Sequence, residues 1–144
     1  MFKKSLIAVM LFVLFVVMAG TPVFAAEKAA MSPEIARALA DIEQVNNEIY
    51  TEIAKAQVKA DEIYGKYQAD FANEQDAEKQ AALTSKYNEK LDKLISKLDE
   101  KTQKMTSKGV EKATAAGITV EVEWILCQFA DRYALIDPLV VIDW

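Results

Sequence analysis

Few residues in this 144-residue chain have the types and spacing that chemistry would need. Cys127 is the one candidate nucleophile, and no histidine exists to activate it, since the chain contains none. The same absence removes the usual general base, the commonest metal ligand and the side chain that titrates near neutral pH. Carboxylates remain. Glu121 and Glu123 alternate along one stretch, and Asp131, Asp137 and Asp143 follow. Hydrolysis by paired carboxylates needs two of them facing across a cleft. Glu121 and Glu123 instead share one side of an extended segment, which reads most simply as its solvated face. A hydrolase would have to draw on Asp131, Asp137 or Glu121. None of the aspartates has the alternating oxygen-ligand spacing of a calcium loop. Neither a metal nor an organic cofactor is therefore expected.

A second chemical feature is the lysine series Lys86, Lys90, Lys93, Lys97, Lys101, Lys104, Lys108 and Lys112. Its steps of three and four make one basic stripe on a helix. Such a stripe could meet an anionic lipid or polymer, or it could face an acidic helix of the same chain and solvent. No aromatics interleave it for base stacking. The whole chain is acidic, with a formal charge of −5 that becomes more negative once Lys3 and Lys4 are set aside. Nucleic acid is not an expected partner.

Those two lysines open a segment read as a signal peptide over residues 1–26. A basic start, an apolar run from Leu6 to Ala19 and the small-residue site Val23-Phe24-Ala25 predict cleavage after Ala25 or Ala26. The alternative is a retained anchor, although the apolar run is shorter than the roughly 20 residues of a spanning helix. Export to the cell envelope or beyond is expected, with no membrane contact after cleavage. In an oxidising compartment one cysteine cannot close an internal disulfide. Cys127 is either buried filler or a site of pairing between chains.

What positions these groups is a pair of long amphipathic helices over residues 27–117. Ile35, Leu39, Ile42, Ile49, Ile53 and Ile63, with Ala56, Ala60 and Tyr67, hold a seven-residue period. Tyr87, Leu91, Leu94, Leu98 and Met105 repeat it. Ser32-Pro33-Glu34 is a strong helix start, and the spacing predicts helices over about 33–71 and 76–116, with Gly117 ending the second. The first helix is acidic and the second basic. Folding the chain about residue 73 places Glu34 opposite Lys112, Asp41 opposite Lys104, Glu48 opposite Lys97 and Glu52 opposite Lys93. Nearer the turn the signs invert, with Lys55 facing Asp92, Lys59 facing Glu89 and Lys66 facing Glu78. One continuous helix dimerising in parallel would line up like charges, whereas an antiparallel dimer with exchanged halves keeps every favourable pair. Gly65 is the weak point of the first helix, and Gly109 loosens the end of the second. Asn46 stands on the seam, either solvated at a frayed position or as a register-setting contact. Ala56 and Ala60 either let the helices approach closely or leave a groove for a third element.

Residues 118–144 change period. Ile118, Val120, Val122, Trp124 and Leu126 alternate with polar residues, as a half-buried strand does. Ala130-Asp131-Arg132 reads as a turn, and further strand-prone runs bend at Pro138. The expected fold is α+β and mainly α: a coiled-coil-like helical hairpin followed by a small β-hairpin or meander. Its Ile118/Val120/Val122/Trp124 face should rest on the helices. Trp124, Ile125, Phe129, Tyr133, Val141 and Trp144 are the candidate partner surface. The expected function is non-enzymatic: an exported scaffold whose β-part docks a protein partner or a second copy. A holdase chaperone of the cell envelope is the alternative.

Overall fold

The computed structural model describes residues 31–144, so the expected leader and its cleavage site lie outside the described residues. Two long helices are followed by four short antiparallel strands, giving a mainly α architecture with a small β part. Helix α1 spans Pro33–Asn73 and α2 spans Ala77–Ala115, 41 and 39 residues. At 1.5 Å per residue each is about 60 Å long. Among the described residues no helix is long and apolar enough to cross a membrane.

The helix ends are chemically specified. The Ser32 hydroxyl accepts from the Ile35 amide at 3.2 Å, and Pro33 occupies the first turn. Asp76 opens α2 by accepting from the amides of Glu78 and Lys79. Between the helices Glu74 turns back, its carboxylate accepting from the Gln75 and Asp76 amides. At the far end Ile118 N–H reaches Ala113 O and Gly117 N–H reaches Thr114 O, with Gly117 at φ 77. That pattern ends α2 through a left-handed glycine.

The helices are antiparallel, but their register differs from the expected one. Lys112 pairs with Asp41 rather than Glu34, and Lys101 with Glu52 where Lys93 was expected. In both pairs the lysine lies about two turns further along α2. Part of the offset is the turn, which centres on Gln75. The rest follows from side-chain direction. Side chains lean toward the N-terminus of their own helix, so in an antiparallel pair the tips meet only when the two Cα atoms are staggered apart. Lys55 and Lys59 bond Glu52 and Glu62 within α1, and Asp92 is taken by Arg132. Exposed pairs of this kind contribute about 0–1 kcal/mol each, too little to fix a register.

The apolar seam fixes it instead. Ile42, Ile49, Ile53, Ala56 and Ala60 of α1 are buried, as are Tyr87, Leu91 and Leu98 of α2. Beyond Leu98, where Met105 packs against the core only partly buried, the seam changes register. It continues through buried Thr102, Thr106, Gly109 and Ala113, spaced four, three and four. These small residues make room for the β-part.

Strands β1 (Thr119–Val122), β2 (Ile125–Phe129), β3 (Arg132–Ile136) and β4 (Leu139–Asp143) form one long interrupted hairpin. The pairing runs Val120 with Val141, Val122 with Leu139, Ile125 with Ile136 and Phe129 with Arg132. Across the break, Glu123 N–H donates to Pro138 O at 2.9 Å. Ala130 and Asp131 make the two-residue turn, Ala130 at φ 55. Each arm carries two residues between its strands, Glu123-Trp124 in one and Asp137-Pro138 in the other. An inward position therefore recurs after three residues, not two, and the inner face changes parity. Ile118, Leu139 and Val141 pack on the helices at the base; Cys127, Phe129 and Ile136 do so toward the tip. The single uninterrupted face expected from Ile118 to Trp124 is thereby corrected: Val122 and Trp124 are exposed.

Helix α1 lies mainly along β2 and α2 along β1, β3 and β4, and α1 also reaches β4 at Leu139. Phe129 and Ile136 are fully buried in one cluster with Ile49, Ile53, Ala56, Ala60 and Leu91. Ala56 and Ala60 thus form a groove that a third element occupies. Asn46 fastens that element. Its amide donates to Leu139 O at 2.7 Å and accepts from Leu139 N–H at 2.8 Å, completing the edge of β4 as a neighbouring strand would. At the tip, Tyr87 donates to Asp131 and Arg132 to both Asn88 and Asp92.

Two stability outcomes follow. Replacing Asn46→Ala strands a partly buried amide and carbonyl and should cost about 2 kcal/mol in urea unfolding, whereas Glu52→Gln should cost under about 1 kcal/mol. The two helical glycines should respond in opposite directions. A Cβ at Gly65 meets nothing, so Gly65→Ala should stabilise by about 0.5–1 kcal/mol. A Cβ at Gly109 falls on the buried Leu139 side chain, with Val45 close behind, so Gly109→Ala should destabilise by about 1–2 kcal/mol despite its better helix propensity.

Candidate functional site

Each group that the sequence offers for chemistry is held in a particular way. Cys127 is buried beneath the hairpin, and burial pushes its thiol pKa up, away from the reactive thiolate. Asp131 sits at the turn and accepts from Tyr87, whose own pKa is raised by burial and by that hydrogen bond. Glu121 is exposed on β1. Among the described residues no cluster of three or more His, Cys, Asp or Glu could hold a metal. Two open grooves lie on the helix surfaces, one along Thr51, Lys55 and Val58 of α1 and one along Glu100, Gln103 and Lys104 of α2. The candidate carboxylates line neither.

Asp137 is the unusual acid. It is buried at the break between β3 and β4, and its Oδ1 has no hydrogen-bond partner. The Thr106 hydroxyl donates to its backbone oxygen at 2.5 Å, and Thr102 lies beside its carboxyl while also donating to Asp99 O at 3.1 Å. Burial, with the Asp99 charge nearby, raises its pKa above the ordinary 3.8 against the pull of its own amide and Thr102. Thr102 and Thr106 were not legible as interior residues from hydropathy alone.

The candidate partner surface divides in two. Phe129 is fully buried, and Ile125 and Val141 pack against the helix clusters, so these three are core. Trp124, Tyr133 and Trp144 are exposed. Two further residues, which the alternation had hidden, join them. Leu126 and Leu135 are directly paired across β2 and β3 with side chains away from the helices. Fractional exposures are 56% for Trp124, 67% for Leu126, 62% for Tyr133 and 51% for Leu135. Val140 and Ile142 extend the same outer face along β4. A signal for it existed: Trp124 and Leu126 alternate against Cys127 and Phe129 on one arm, as Tyr133 and Leu135 do against Ala134 and Ile136 on the other. The sequence shows two apolar faces, and one layer of helices covers only one.

The edges of this ribbon are less available than its outer face. Asn46 occupies the edge groups of Leu139, and Gln57 of α1 donates to Gln128 O of β2 at 3.1 Å. Comparison of the chain with protein-family models, with characterised proteins and with solved structures found no match in any of the three.

The buried acid has a definite pH signature. A folded-state pKa raised above the unfolded value means that the native state holds the proton more tightly. Stability contributed by Asp137 is then present at low pH and is lost as pH rises from 3.8 through the raised pKa. Asp137→Asn should raise the urea midpoint at neutral pH, and its advantage over wild type should shrink as the pH is lowered toward 3.8. An advantage that is the same at every pH would separate this effect from charge.

Proposed function

We propose that this protein is a non-enzymatic interaction module, exported from the cell, in which a helical hairpin holds a β-hairpin so that its outer face can bind a protein. The observation that carries this reading is the exposed face formed by Trp124, Leu126, Tyr133 and Leu135. Residues of these types on the solvent side of a strand are unfavourable unless covered, and apolar surface of this extent marks contact sites on soluble proteins. Tyr and Trp are also the residues that most often dominate interface energies. The support beneath the face is rigid, because the opposite face shares a core with both helices. The leader-like sequence of residues 1–26 motivates the export part of the proposal.

Site-specific photo-cross-linking in the producing cells tests it. A photoreactive residue at Leu126 or Leu135 should give one adduct of defined size, and one at Gln103 on the α2 surface should give none. Equal, diffuse labelling at all three positions, or no adduct at 126 and 135, would overturn the assignment of this face.

A further inference from the structure

Resting on that reading, we infer that the occupant of the outer β-face is a second copy of this chain, packed ribbon to ribbon with the two strand directions opposed. The first argument is area. With a whole aromatic side chain presenting about 150–250 Å², the exposed fractions of Trp124, Leu126, Tyr133, Leu135, Val140 and Ile142 leave on the order of 600 Å² of apolar surface, against roughly 800 Å² per partner in a standard interface. The polar residues around the patch supply the difference.

The second argument is the layering. A two-stranded ribbon with helices on one side has one bare face, and a duplicate placed on that face buries both at once. The product is helices, ribbon, ribbon, helices, with the sheet faces about 10 Å apart. Charge then selects the orientation. The centre of the patch is uncharged; Glu121 and Glu123 stand on its base side, whereas at the tip the acid Asp131 is accompanied by the base Arg132. Face-to-face copies must be related by a two-fold axis lying in the interface plane. An axis along the strands would stack each pair of acids on its duplicate. An axis across the strands, at the level of the Leu126–Leu135 pair, sends them to opposite ends. Three to five residues at about 3.3 Å each then separate the acids from the axis on either side, so the two acidic ends lie beyond the screening length of about 8 Å at physiological ionic strength. In this arrangement Leu126 of one copy lies over Leu126 of its partner.

Light scattering on protein produced from the full chain tests the inference. Wild type should have twice the mass of one chain, and so should Val58→Lys, which charges an exposed position on α1. The double variant Leu126→Lys, Leu135→Lys should have the mass of one chain with unchanged helical circular dichroism. A single-chain wild type at every concentration, or a double variant that stays paired, would overturn the inference. Orientation has its own measurement, which does not depend on how the double variant folds. Leu126→Cys should form a disulfide between chains under mild oxidation and Glu121→Cys should not; the reverse pattern would overturn it. A single-chain protein that still gives a defined heterologous adduct at position 126 would end the self-pairing and leave the interaction reading standing, whereas no adduct of any kind would end both.

Discussion

The constraint on which the rest depends is the shared interior between the helices and the β-hairpin. Neither part can bury its apolar surface alone. A lone two-stranded ribbon is marginal in water, and a helical seam narrowed by Ala56, Ala60, Gly109 and Ala113 leaves a trough in place of a tight helix–helix contact. Phe129, Ile136 and Leu139 fill that trough. The β-part is thus the third element of one core. Residues that look weak in an isolated coiled coil, the alanines and Gly109, are the ones that admit it.

Polar contacts do a different job. Asn46 and Thr106 bond the hairpin at Leu139 and Asp137, Gln57 bonds it at Gln128, and Asn88 and Asp92 take Arg132 near the tip. Together they hold its position lengthwise, which apolar packing specifies less sharply. The aromatic group of Tyr64, Tyr67, Phe71 and Tyr87, with Tyr67 and Tyr87 stacked at 4.5 Å, closes the helical seam toward the turn. Surface ion pairs sit around this frame and adjust to it.

Much of this was legible beforehand, for identifiable reasons. The heptad spacing from Ile35 to Tyr67, the Ser32-Pro33 start and the Gly117 stop gave both helices nearly to the residue, because each is a local signal. The hairpin turn at Ala130-Asp131 was legible for the same reason. Charge matching misjudged the register, since long side chains reach along the helix and Lys55 and Lys59 find partners on their own helix. The outer face was only half visible. Trp124 and Tyr133 are large apolar residues on exposed positions, but Phe129 has the same appearance in the sequence and is core. Which of two apolar faces is covered depends on the parity change at residues 123–124, and one extra residue per arm leaves no compositional trace.

That matched break has a consequence for how the sequence can vary. Because both arms lengthen at one level, the ribbon turns over without losing its pairing. Shortening one arm alone would rotate only that arm, sending Cys127 and Phe129 to solvent while Leu126 turned toward the helices. Insertions and deletions near Trp124 and Pro138 are therefore tolerable only as compensating pairs, so two positions distant in sequence are tied by length as well as by contact.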